Sequence, residues 1–378
     1  MDLNRLLESR VPMDVRCRPM ADREGRDCVV VVAKMTWNVS PRGQARIARP
    51  VAPVVFADQP RPGGRFSSLR RASDAVEEKP GTDVILVGTA HPQQADVTEQ
   101  VVSLRVESGQ QSLHKALTVY GPRVWHPSLL GLAPGPAGKL EPTPLVYELA
   151  YGGFDETDAQ IEIEMRNPSG TGYMERKRGL VGRPAPVIED RRFPLSGLSP
   201  APAGFGPIPA HWSPRREHMG TYDERWRTER APLRPVDFDV RHHSSAPPDQ
   251  WLSTPLLGDE AIEVLGATPA PDPASTGQKG RAGEGAQLGG WRFRLPRYSP
   301  QFHVIVRGET TVLDPHLDTL LIDADAANVE LTWRIKVALP RKTEHLEKII
   351  AFGIPPLPEH IVADLAARVP GFGAPEEP

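Results

Sequence analysis

Proline recurs so often in this chain that long helices cannot dominate it. It accounts for 42 of 378 residues, roughly twice the usual share. Each proline removes a backbone donor and fixes φ, which suits turns, sheet edges and first helical turns but not helix interiors. The stretch from Pro202 to Trp251 holds eight prolines and the tryptophans Trp212, Trp226 and Trp251, with neither a helical nor a strand period. A disordered linker carries few aromatics. This segment is therefore expected to be ordered, extended and wrapped on a core.

The rest of the composition is that of a globular chain, with 39% hydrophobic and 25% charged residues. Its length suits one large domain or two ordinary ones. The formal net charge is -3, and Lys and Arg are scattered among acids. That argues against nucleic acid or an anionic membrane surface as the main partner. Cys17 and Cys28 form no CxxC pair, and Cys28 inside a Val-rich run reads as a buried thiol and not a redox group. The opening MDLNRLLESRVPMDVR lacks the apolar stretch of a secretory signal, and nowhere do ~18 apolar residues run together to span a bilayer. A cytoplasmic location is the expectation.

The clearest strand runs from Asp27 to Val39, apolar on both sides in its first half and on one side in its second. Asp83 to Gly88 is a short apolar strand. Val102, Leu104 and Val106 alternate with polar residues, as do Leu113, Lys115, Leu117 and Val119 up to Gly121-Pro122, and together these runs suggest an antiparallel meander. From about Thr143 to Leu257 the period is lost, apart from Ile161, Ile163 and Met165. Strand patterns return at Trp291–Leu295, His303–Val306, Thr319–Ile322 and Val329 to Val337. Residues 268–290, low in apolar side chains and rich in Gly, Pro and Ala, read as a flexible insertion, and 60–79 as a less distinct loop. Near the end, Pro358 followed by Ile361, Val362, Leu365 and Val369 marks a short helix stopped by Pro370-Gly371.

Several residues have the chemistry for a site. Asp237, Asp239 and Asp249, with Glu148 and Asp155, could supply the carboxylate pair of a glycoside hydrolase, although Asp is equally the common turn and capping residue. His211, His218, His242 and His243 match no zinc spacing, and neighbours on a strand face opposite sides. Ser169 lies in NPSGTG, outside a GxSxG frame. Its glycines lack the strand-turn-helix setting of a phosphate loop. No catalytic, cofactor-binding or metal-ligating residue is assigned.

The order of motifs is more specific than any one of them. Gly81-Thr82-Asp83 is followed by Tyr147-Glu148, Tyr151-Gly152-Gly153-Phe154-Asp155, Asn167-Pro168-Ser169-Gly170-Thr171-Gly172-Tyr173 and Pro202-Ala203-Gly204-Phe205-Gly206-Pro207-Ile208. Next come Gly220-Thr221-Tyr222-Asp223 with Trp226, Asp237-Phe238-Asp239, Ala246-Pro247-Pro248-Asp249-Gln250, Gly258-Asp259-Glu260, and a block from Asp318-Thr319-Leu320 to Leu331-Thr332-Trp333-Arg334. From about residue 10 to 340 this succession resembles a bacterial family, formerly of unknown function, found in type VI secretion clusters. The resemblance implies a non-catalytic adaptor or chaperone that binds an effector protein, often PAAR-linked, and helps load it on the VgrG spike. The chain departs from the family pattern at Ala185-Pro186-Val187-Ile188-Glu189, where Leu-Pro-Asn-Ile-Glu is usual, and at His242-His243-Ser244, where an aromatic pair and Asn are usual.

The expected architecture is mainly β, with antiparallel sandwich-like or barrel-like sheets, a long Pro/Gly-rich irregular middle and a short C-terminal helix. Residues 1–340 are read as one family-like domain, or as two packed β subdomains, about 1–142 and 291–340, bridged by 143–267. Residues 341–378 are read as a helical tail. Tyr222, Arg225 and Trp226 are the partner-binding candidates, since aromatic and Arg anchors carry most binding energy at interfaces. The rival reading is a carbohydrate-active enzyme using Asp237, Asp239 and Asp249.

Overall fold

The structure is a computed structural model that describes residues 3–64, 66–109, 111–129, 131–156, 161–174, 177–195, 200–268, 290–339 and 345–353. Its spine is the strand Asp27–Val39. Val29 to Ala33 are at most 1% exposed, so this run is covered on both faces and belongs in mid-sheet. Asn328–Ala338 lies antiparallel along one edge of it, from Cys28 to Asn38. The other edge is shared by Asp14–Ala21 and Ala45–Ile47. His316–Asp323 pairs with the far side of Asn328–Ala338, Thr82–Val87 pairs with His316–Asp323 in parallel, and Trp251–Leu252 completes the seven strands.

A second sheet has five antiparallel strands in the order Ile188–Glu189, Ser112–Tyr120, Glu99–Glu107, Ala261–Leu265, Gly290–Arg294. A third has four, in the order Leu7–Ser9, Leu346–Gly353, Pro300–Val306, Glu309–Leu313. The alternating apolar residues of all three, among them Val31, Leu104, Phe302 and Ile349, meet in one hydrophobic cluster. The fold is thus mainly β, as the sequence suggests, and among the described residues no sheet closes into a barrel.

Four expectations change in detail. Glu99–Glu107 and Ser112–Tyr120 are neighbours as a meander requires, but Thr82–Val87 sits in the other sheet beside a strand from the far end of the chain. Its Val84, Ile85 and Leu86 are buried on both faces, which suits a strand flanked on both edges. The polar face of Asp27–Val39 is also covered, because Lys34 pairs with Asp74 at 2.6 Å and Thr36 Oγ1 accepts from the Ala52 amide at 2.8 Å. Within the expected tail, Leu346–Gly353 is a strand, with Leu346, Ile349 and Ala351 buried. The helix expected from Pro358 to Val369 lies outside the described residues, as do residues 269–289 of the expected insertion. The parts 1–142 and 291–340 share one sheet, since His316–Asp323 and Asn328–Ala338 lie between Thr82–Val87 and Asp27–Val39 in the seven-stranded one.

The irregular middle is made of short 3-10 turns, two-residue strands and two short helices. It is held by large side chains sunk below it. Phe205 and Trp212 are fully buried, and Trp212 meets Tyr147 edge to face at 5.3 Å. Truncating either buried ring would cost roughly 3–5 kcal/mol through lost burial and a residual cavity.

Candidate functional site

Several motif residues face inward and satisfy buried backbone groups. Asn167 is fully buried, and its Nδ2 donates to the carbonyls of Tyr147 (2.8 Å) and Tyr151 (3.0 Å). Its own carbonyl lies against Gly152, where a Cβ would approach to 2.2 Å at φ +149, so that position requires glycine. Gln250 is equally buried and donates to the carbonyls of Val84 (2.6 Å) and Phe205 (3.0 Å), tying the middle segment to the seven-stranded sheet. Glu260 accepts from the amides of Leu257 and Gly258.

Charged motif residues form pairs in the same layer. Asp83 accepts from Lys79 (2.7 Å) and from the amide and hydroxyl of Ser245. Arg334 Nε donates to Asp318 (2.6 Å), and its Nη1 donates to the carbonyls of Asp74 and Val76. Lys115 Nζ donates to the Gly204 carbonyl (2.6 Å) and to Asp249 (2.7 Å); burial lowers its pKa, and the Asp249 charge opposes that shift. A buried lysine of this kind is a functional candidate on electrostatic grounds. Its ammonium is nevertheless already bonded to two framework groups. Arg215 is similarly engaged, donating to the Ile208 and His242 carbonyls, and burial lowers its pKa.

The acids singled out above have separate partners. Asp237 accepts from the Thr221 amide (3.0 Å) and hydroxyl (2.7 Å), and these bonds lower its pKa. Asp239 caps the turn Val240–His243 by accepting from the Arg241 amide; with the Arg241 guanidinium also bonded, its pKa falls to about 2. Asp249 pairs with Lys115 and Arg192, Glu148 accepts from the amide and hydroxyl of Ser68, and Asp155 is buried. The histidines also diverge. His242 Nδ1 meets the Arg215 carbonyl, while His243 Nδ1 meets the Glu78 carbonyl at 2.8 Å and is pushed down to about 3 by burial and nearby Arg234. His218 packs on the Trp251 ring, and burial lowers the pKa of His211. Ser169 Oγ donates to Asn167 Oδ1. Among the described residues no three His, Cys, Asp or Glu side chains gather in metal-binding geometry.

Arg225 and Trp226 lie on a surface helix, Glu224–Glu229, and Tyr222 stands just before its cap. Asp223 caps it by accepting from the Trp226 amide at 2.7 Å. Tyr222 is 48% exposed and stands edge-on to the half-buried Trp226 ring at 4.6 Å. The Trp226 indole donates to the Leu233 carbonyl at 2.8 Å, and Arg225 is exposed and pairs with Glu229. This excursion is anchored to the body. Arg230 donates to the Arg23 carbonyl, Arg23 to the Val236 carbonyl, and Arg234 to Glu77 at 2.6 Å.

A concave surface escaped sequence reasoning. An open groove of about 530 Å³ is lined by Tyr120, Val124, Pro136, Pro142, Pro144 and Leu149 among others. These residues lie in separate segments that converge only on folding. Their sole signal in the sequence is the scatter of prolines between residues 122 and 144.

Together the fold and these sites define a mainly β protein, with an irregular segment hydrogen-bonded across its sheets and a capped aromatic helix on its exterior. The chain belongs to the DUF2169 family, described as an uncharacterized protein conserved in bacteria, whose sequence model matches residues 24–334. No curated protein and no solved structure matches it. Among the described residues no helix is long and apolar enough to cross a membrane.

Proposed function

We propose that this chain is a type VI secretion adaptor that binds and stabilises a cargo effector and helps load it onto the VgrG/PAAR spike. The observation that supports the reading most is the division of labour between its residues. Motif side chains such as Asn167, Gln250 and Arg334 hold a framework from within, while Tyr222, Arg225 and one side of the half-buried Trp226 ring are exposed at the helix Glu224–Glu229. A rigid framework presenting aromatic and Arg side chains keeps the ordering cost of binding low, and such side chains dominate interface energetics. The motif order points to the effector as the partner. The alternative carbohydrate-active reading needs two acids free to act across one sugar. Asp237, Asp239 and Asp249 are each bonded to different groups.

Co-expression with the effector encoded beside it tests the reading. The effector's soluble yield should rise, and a complex should survive gel filtration at micromolar concentration. Trp226→Ala with Tyr222→Ala should release the effector without changing the melting temperature of the adaptor. An effector equally soluble alone, with no complex formed, would end the proposal. Glycosidase turnover lost in a still-folded Asp239→Asn variant would replace it with the enzyme reading.

A further inference from the structure

The four-stranded sheet ends in a hairpin whose outer strand, Glu309–Leu313, pairs only with Pro300–Val306 among the described residues. Glu309 to Val312 are exposed, Val312 at 50%. Sheet edges are usually blunted by Lys, Pro or a bulge. This one reads Glu-Thr-Thr-Val-Leu, and its pairing with the inner strand is continuous. The turn Arg307-Gly308 has positive φ at both positions, +53 and +77, the type I′ geometry of a two-residue hairpin. Val306 and Glu309 flank it and form the hydrogen-bonded pair. The backbone groups of Glu309, Thr311 and Leu313 therefore point inward, and those of Thr310 and Val312 point outward.

We infer that this edge pairs with the same edge of a second copy, antiparallel about a two-fold axis at Thr311, joining two four-stranded sheets into one of eight strands. In that register Thr310 of each copy faces Val312 of the other, so all four outward groups on each strand are satisfied. Glu309 faces Leu313, and Asp314 faces Gly308, so no like charges pair directly between the two edge strands. Arg307 at each hairpin tip comes beside Asp314 of the other copy, a charge match repeated at both ends by the symmetry. A register centred on Thr310 sets Val312 against the turn residue Gly308, whose amide already donates to Glu347, and one centred on Val312 carries Arg307 away from Asp314. The inference is independent of the adaptor reading. One strand pair buries less than the roughly 1,600 Å² of a standard interface, so the dimer is weak and concentration-dependent.

Sedimentation of the full chain from low micromolar to near-millimolar concentration should show monomer converting to dimer. Thr310→Pro removes an outward donor but no ladder bond within the hairpin, and should weaken dimerisation about tenfold or more. Thr311→Arg, which leaves the backbone donors intact and opposes like charges on the axis, should do the same and decides the matter if Thr310→Pro misfolds by circular dichroism. Thr311→Cys places two thiols in a non-hydrogen-bonded pair about 4.5 Å apart at Cα, within disulfide reach. It should give a disulfide-linked dimer, whereas Glu309→Cys should not. The native thiols Cys17 and Cys28 are buried and leave this readout clean. The inference is overturned by a monomer at the highest concentration, by a dimer indifferent to both Thr310→Pro and Thr311→Arg, or by equal cross-linking of Thr311→Cys and Glu309→Cys.

Discussion

Asn167 shows how much one side chain can hold. It bonds the buried carbonyls of Tyr147 and Tyr151, the first of which also accepts from the Ala150 amide, and losing buried polar bonds of this kind costs about 1–3 kcal/mol. Asn167→Ala should therefore destabilise the chain by about 3 kcal/mol, read as a lowered urea midpoint at unchanged slope. Ser169→Ala, which removes a partly buried hydroxyl from the same motif, should cost under about 1 kcal/mol. His243 sets a pH dependence. Its Nδ1–H donates to the Glu78 carbonyl, and burial holds its pKa near about 3, against an ordinary value of 6.5. The unfolded chain binds the proton more readily, so this contribution is full above pH 6.5 and is lost as pH falls from 6.5 toward 3. His243→Gln should flatten the decline of melting temperature across that window, and an unchanged slope would mean that other groups set it. NPSGTG could be recognised in the sequence as a motif. That its Asn is a staple and not a reactive group depends on two carbonyls 16 and 20 residues away.

Elements were legible where their alternation was strong. The strand from Asp27 to Val39 has the limits its pattern indicates, because a residue in mid-sheet must match cover on both faces. The Ala261–Leu265 and Gly290–Arg294 strands pair from Leu265 to Gly290, with Ile262, Val264, Trp291 and Phe293 buried. Those inward side chains fix the register, and loop-closure entropy changes slowly with length. Replacing residues 269–289 by a short Gly/Asn linker should therefore leave the melting temperature within a few degrees. Insoluble protein would show that the deleted residues belong to the fold. The helix Glu224–Glu229 was not read from the sequence, since six residues are too few to show a period. Its stability rests on the Asp223 cap, worth about 1 kcal/mol. Asp223→Ala should shift Trp226 emission to the red with no change in global melting.

At the scale of the whole molecule, side chains from all three sheets share one core. Far-UV circular dichroism and tryptophan fluorescence should melt together in one transition. Arg334→Met would leave Asp318 buried without its cation and should cost about 3–5 kcal/mol, with part recovered in the double variant Arg334→Met, Asp318→Leu. What the sequence determined by itself was local: mainly β structure, an ordered proline-rich middle without long regular elements, and the inward apolar face of each strong strand. These follow from φ restriction and from side-chain alternation, which act between near neighbours; the middle nevertheless coils through short helices and 3-10 turns from Ser213 to Gln250 and does not lie extended. Tertiary structure alone decided that Thr82–Val87 lies parallel to His316–Asp323, and that the polar face of the spine strand is covered. Lys34 finds Asp74 at a separation of 40 residues, and Arg71 finds Glu330 at 259. A charge in sequence looks the same whether water or a distant counter-charge will solvate it; packing makes that choice, because a buried charge is tolerated only where its partner arrives with it.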